Sequence, residues 1–80
     1  MIIKASDANK YANDGKAYAL FMAAMEHIDM AIEDGHMMIE VEYEGEDESN
    51  VPKAVEWLIE QGYGATITDN GTIYVSWSNA

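Results

Sequence analysis

The chain has 80 residues, of which four are Lys, none Arg, fifteen Asp or Glu, two His and none Cys, for a formal net charge of −11. A single domain of that size buries only about 60–65% of its unfolded surface, so its 49% apolar content can build a core but leaves little for a deep cleft. The absence of Cys excludes disulfides, thiolate catalysis and Cys-ligated metals. The acidity argues against nucleic acid and anionic membranes as partners, because Lys and Arg supply affinity for both.

The N-terminus, Met1-Ile2-Ile3-Lys4-Ala5-Ser6, has no basic segment followed by a long apolar one, so no secretory signal is expected. The longest uninterrupted apolar run, Ala17 to Met25, has nine residues, and a membrane span needs roughly 20. These features lead to the expectation of a soluble protein made in a cytoplasm.

Residues 6–34 have helical periodicity. Ser6 or Asp7 is expected to cap the start. At 100° per residue, Tyr11, Ala17, Tyr18, Phe21, Met22, Met25, Ile28 and Ile32 fall in one arc of roughly 140°, the width of a core-facing stripe. Asn13-Asp14-Gly15 interrupts this pattern as a kink or as a restart capped by Asp14, since interior Gly costs about 1 kcal/mol relative to Ala. Gly35 is expected to close the helix.

From Met37 to Glu44 the pattern alternates. Met37, Ile39, Val41 and Tyr43 face one way, and Met38, Glu40, Glu42 and Glu44 the other, as in a half-buried strand. Gly45 to Asn50 reads as an acidic loop. A second helix is predicted over 51–61, with Ser49 or Asn50 as cap, Pro52 in the first turn and Gly62 ending it. Its apolar arc is Val51, Ala54, Val55, Leu58 and Ile59; Trp57 falls off that arc.

The final segment reads as a hairpin around Asp69-Asn70-Gly71. A two-residue loop would pair Ile67 with Tyr74 and split the apolar side chains between both faces. A three-residue loop pairs Thr68 with Thr72, Ile67 with Ile73, Ala65 with Val75 and Tyr63 with Trp77, which keeps the apolar pairs on one face and gives Gly71 the left-handed position. The predicted fold is α+β: helix-strand-helix-strand-strand, one domain over 1–80, a two-layer sandwich with both helices on the same face of a three-stranded sheet. Whether the first strand pairs with the middle or the last strand stays open.

Gly62-Tyr63-Gly64-Ala65-Thr66-Ile67, a turn, and Thr72-Ile73-Tyr74-Val75-Ser76-Trp77 resemble the ending of many small proteins of tailed bacteriophages. The opening Ala5-Ser6-Asp7-Ala8 and the helix end Ala31-Ile32-Glu33-Asp34-Gly35 look like the same group. Two positions depart from the pattern: Val75 stands where Ile usually precedes Ser-Trp, and Ala65 where Val is usual. The resemblance implies a phage accessory or virion-associated protein in the particle or the host cytoplasm, and no catalytic residue.

The charge is regional. Residues 26–60 hold twelve of the fifteen acids and one lysine, Lys53, so they carry the whole −11, while the rest of the chain sums to zero. Glu40, Glu42 and Glu44 form a carboxylate row that continues into Glu46, Asp47 and Glu48. The plain reading is a solvated strand face that resists edge-to-edge aggregation. A sharper reading is a protein contact, including a mimic of DNA phosphates, because alternate strand residues repeat at about 6.6–6.8 Å. A third is a weak Ca²⁺ or Mg²⁺ site, although the loop lacks the Asp-x-Asp-x-Asp-Gly order of an EF-hand.

His27 and His36 have no ligand-spaced partner and read as surface residues. Ser6, Ser49, Ser76 and Ser78 sit at caps, loops or strand ends, with no nucleophile elbow. Met22, Met25 and Met37 read as core filling; for Met30 and Met38 that reading stands beside a surface one. Leu20, Met30, Trp57 and Tyr74 read as apolar surface left over from the monomer, which leaves room for self-association. The expected function is therefore non-enzymatic protein–protein interaction, without cofactor or metal, through Glu40, Glu42, Glu44, Glu46, Asp47 and Glu48, with Trp57 as aromatic anchor.

Overall fold

The computed structural model describes residues 4–43 and 45–78. In chain order it contains α1 (Ala5–Asn13), α2 (Gly15–Glu33), β1 (Met38–Glu42), a 3₁₀ helix (Gly45–Asn50), α3 (Val51–Glu60), β2 (Gly64–Ile67) and β3 (Thr72–Ser76). The fold is the expected α+β sandwich. The sheet is antiparallel with order β1-β3-β2, so the last strand is the central one. Helix α2 packs on β1 and α3 on β2.

The hairpin has the predicted register: Ala65 pairs with Val75, Ile67 with Ile73, and the Thr68 N–H donates to the Thr72 carbonyl at 2.9 Å. Gly71 turns the chain at φ +76°, a left-handed conformation that costs a side-chain-bearing residue about 1–2 kcal/mol. The Tyr63 and Trp77 rings meet edge to face with centroids 6.0 Å apart. Both long helices end in paired bonds from the two residues beyond the last turn. Gly35 and His36 donate to the carbonyls of Ile32 and Ala31, and Gly62 and Tyr63 to those of Ile59 and Leu58. This pattern satisfies carbonyls that the helix itself leaves unpaired.

The helix starts differ from expectation. The first helix begins at Ala5 with Lys4 at the cap position, and neither Ser6 nor Asp7 caps it. It breaks at Asp14, and α2 restarts there without a hydrogen bond from the Asp14 side chain; that carboxylate instead lies 3.9 Å from the Lys53 Nζ. The segment expected as an acidic loop is the 3₁₀ helix, which runs directly into α3, a common lead-in to an α-helix. Asn50 holds the cap position of α3 without a side-chain bond, and Pro52 lies in its first turn.

The buried stripe of α2 is rotated from the predicted one. Ala17, Leu20, Phe21, Ala24, Ile28 and Ala31 are buried, whereas Ile32 is 53% exposed. Weighting by large side chains misplaced the stripe, because Ala24 and Ala31 are small residues that allow close approach. Leu20 is therefore a core residue and not leftover surface. Met22 and Met25 pack on the edge of the core, but Met37 lies outside it at 54% exposure.

Trp57 is the largest correction: it is 1% exposed and the largest fully buried side chain. Its ring lies edge to face with Tyr11 at 4.8 Å and Phe21 at 5.9 Å between centroids. One apolar arc assumes one packing partner, but α3 has two, the sheet below it and the α1–α2 pair beside it, so its buried face is wider. Lys10 closes the cluster at the surface, with Nζ 2.6 Å from a Glu60 carboxylate oxygen and 5.9 Å from the Trp57 ring centre, within cation–π range.

Truncating Trp57 removes the aromatic contacts by which α3 meets Tyr11 of α1 and Phe21 of α2. The substitution W57A is expected to lower stability by about 3–5 kcal/mol, measured by urea unfolding. A second expectation concerns alkaline pH. The hydrogen bond to Glu60 raises the Lys10 pKa above its usual 10.5, and burial raises that of Tyr11 above its usual 10.0. The folded chain thus keeps both protons to higher pH than the unfolded chain does. Their contribution is complete below pH 10.0 and is lost as pH rises through the folded-state values. The urea midpoint should fall above that pH, and fall less in Tyr11→Phe.

Candidate interaction surface

Because the helices cover one face of the sheet, the opposite face is open. Strand alternation assigns Ile39 and Val41 to the core side and Met38, Glu40 and Glu42 to the open side, and the latter three are exposed. On β3 the open side takes Thr72, Tyr74 and Ser76. The cross-strand pairs are Met38 with Ser76, Glu40 with Tyr74 and Glu42 with Thr72, and β2 adds Gly64 opposite Ser76 and Thr66 opposite Tyr74.

Hydroxyl groups organise this face. The Thr68 Oγ1 accepts from the Asn70 N–H at 3.2 Å and from the Thr72 N–H at 3.4 Å. Its lone pairs are then taken, so its proton is given to the Thr72 Oγ1, 2.7 Å away. The Thr72 hydroxyl in turn donates to a Glu40 carboxylate oxygen at 3.3 Å. Thr72 is the one buried polar residue among those described, and this relay from Thr68, just after β2, through β3 to β1 satisfies it and steadies Glu40. The Tyr74 hydroxyl reaches the Met38 sulfur at 3.3 Å. The charge on the face is uncompensated locally, since the lysines at 4, 10, 16 and 53 are all outside the sheet, and Lys10 and Lys53 lie against Glu60 and Asp14.

The predicted site residues separate into three groups. Glu40 and Glu42 share the open face. Glu48 is exposed in the 3₁₀ helix. Glu44, and the side chains of Glu46 and Asp47, lie outside the described residues. Trp57 is not part of the surface, since its ring is enclosed by α1 and α2. The supposed leftover apolar residues do not come together either: Leu20 and Trp57 are core, Tyr74 is half-buried on the open sheet face, and Met30, 62% exposed, lies on α2. The Thr68–Thr72 pair was legible from the hairpin register, but its link to Glu40 was not, because that link depends on β3 lying between β2 and β1.

Among the described residues, no group of three or more His, Asp or Glu is placed to hold a metal ion, and both histidines are exposed on the helix layer or just after it. A shallow hollow of about 240 Å³ lies where α1 meets α2, lined by Ala8, Tyr11, Ala12, Gly15 and Tyr18. No helix of the described residues is long and apolar enough to cross a membrane. Comparison with known protein families, curated proteins and solved structures finds no match to this chain.

The relay predicts a specific cost. Thr72→Val keeps the shape but breaks the bonds to Thr68 and Glu40, and is expected to lower stability by about 1 kcal/mol. Combining it with Glu40→Gln in a double-mutant cycle should show coupling between the two positions.

Proposed function

We propose that this chain is a small, acidic, non-enzymatic accessory protein of the tailed-phage type. It acts by binding another protein, in the virion or in the host cytoplasm, through the carboxylates of the open sheet face. The observation that carries this reading is the pairing of Glu40 and Glu42 on an uncovered, strand-borne face with no lysine on the sheet. A strand is a rigid support, and Thr72 restrains Glu40, so the face presents charge with less side-chain entropy to lose than a free surface residue. The fitting partner is a basic protein surface, and attraction of this kind raises association rates as well as affinity.

A sharper form of the reading is DNA mimicry. Carboxylates two residues apart on one strand repeat at about 6.6–6.8 Å, comparable to phosphate spacing along one DNA strand, so the row can enter a groove built for phosphates. The phage assignment is supported by the resemblance of the hairpin, Gly62 to Trp77, to the endings of such proteins.

The test begins with capture of partners from host lysate and a search for the protein in purified particles, followed by titration of the captured partner. Glu40→Lys with Glu42→Lys is expected to weaken binding roughly tenfold or more, since each exposed pair is worth up to about 1 kcal/mol and reversal makes it repulsive. Wild-type binding should weaken with added salt. If the partner is a DNA-binding protein, duplex DNA should compete with the chain for it. Affinity unchanged by the double reversal would exclude the acidic face as the contact.

A further inference from the structure

The two edges of the sheet differ in chemistry, and only one is protected. The Thr68 N–H bonds to β3, and antiparallel alternation means that Thr66 and Gly64 also bond to β3. The N–H and C=O groups of Ala65 and Ile67 therefore point off the free edge of β2. On the other side, the Trp77 N–H bonds to the Met37 carbonyl, so the groups pointing off β1 belong to Met38, Glu40 and Glu42. That edge carries charge, the usual guard against strand addition. Strand β2, Gly-Ala-Thr-Ile, has no charge, proline or bulge.

Exposed apolar side chains accompany the unguarded edge. Ile67 is 43% exposed and Ile59 54%. At 3.6 residues per turn Ile59 lies about 200° around α3 from Trp57. Trp57 marks the side of α3 that faces α1 and α2, as do the Lys10–Glu60 and Lys53–Asp14 pairs. Ile59 is therefore on the opposite flank, above the free edge of β2.

We propose that two copies of this chain join through β2 in an antiparallel, two-fold pairing that makes a six-stranded sheet of order β1-β3-β2-β2′-β3′-β1′. The register follows from which groups are free. Ala65 exchanges both backbone hydrogen bonds with Ile67 of the second copy, and Ile67 with its Ala65. Thr66 then meets Thr66 on the two-fold axis, on the open face. Both helix layers lie on the same side, and the Ile59 flanks of the two α3 helices meet above the seam, against Ile67.

Charge selects this edge over the other. The same two-fold pairing through β1 would set Glu40 against Glu40, with like charges directly opposed. Pairing through β2 leaves the two β1 strands about 24 Å apart at the usual strand spacing. That is beyond the Debye length of about 8 Å at physiological salt, so the Glu40 and Glu42 carboxylates of the two β1 strands oppose this dimer weakly.

The test is sedimentation equilibrium at physiological salt from micromolar to millimolar chain, with far-UV circular dichroism to confirm folding. Wild type should be a dimer at the upper end. The N–H that Ala65→Pro removes points away from β3, a position at which an edge strand tolerates proline, and circular dichroism checks that the ring is accommodated beside the core. The substitution deletes two bonds of the seam and should weaken the dimer about thirtyfold, at about 1 kcal/mol for each bond. Thr66→Lys and Thr66→Glu should each weaken it by up to about fivefold through like-charge opposition, and an equimolar mixture of the two should restore it. A chain that stays monomeric to millimolar concentration overturns the proposal. So does a dimer that Ala65→Pro and Thr66→Lys leave unchanged, or a mixture no more dimeric than either variant alone. The Ala65→Pro arm is independent of the acidic face, because Ala65 lies on the helix side of the sheet and its substitution leaves Glu40 and Glu42 intact.

Discussion

The enclosure of the Trp57 indole decides the shape of this molecule. Tyr11 from α1 and Phe21 from α2 close on a ring that α3 carries, so three helices are tied into one layer rather than spread over both faces of the sheet. The layer has a finite reach. With α2 over β1 and α3 over β2, the core side of all three strands is covered and no helix remains for the other side. The open sheet face thus follows from where the large aromatic residues are, in a chain with too few residues to cover the sheet twice.

What could be read from sequence, and what could not, divides along the same line. The hairpin was legible residue by residue because strand side chains alternate with a period of two. Of a two- and a three-residue loop, only the latter puts Ala65, Ile67, Ile73 and Val75 on a common face. The alternation of Ile39 and Val41 with Glu40 and Glu42 was legible for the same reason. The helix faces were less so. Ala24 and Ala31 carry little weight in an apolar arc, yet both are buried on α2, and Trp57 lies off a single arc because α3 has two packing partners. A single arc therefore assigns Trp57 to the surface, whereas it is the centre of the helix layer. Strand order was beyond reach, since nothing in the pattern of β1 distinguishes β2 from β3 as its neighbour.

The candidate surface was partly legible. The carboxylates of Glu40 and Glu42 were placed correctly by alternation alone. The hydroxyls that support them were not, because the relay from Thr68 through Thr72 to Glu40 requires the last strand to be central. Once β3 is central, the hairpin supplies a buried threonine next to the acidic strand. A regional count of charge therefore becomes a surface with one restrained carboxylate. The resemblance to tailed-phage proteins rests largely on the same hairpin, whose residues have a structural explanation of their own: Gly62 and Gly71 turn the chain, and Tyr63 and Trp77 pack edge to face.

A central β3 also gives the sheet two outer strands of opposite character. A strand with Glu at alternate positions exposes backbone groups that a second strand could use, but it surrounds them with charge. A strand of Gly, Ala, Thr and Ile exposes the same groups without that barrier. Each edge has its unpaired groups in the residues that its own ladder to β3 leaves out. Those are Met38, Glu40 and Glu42 on one side and Ala65 and Ile67 on the other. On β1 the side chains of these residues share the open face, so any strand approaching there meets carboxylates. On β2 they point to the helix side, so an approaching strand meets Ile67 and the flank of α3. The same alternation that separates core from solvent thus decides that one edge selects partners by charge and the other by shape and apolar contact.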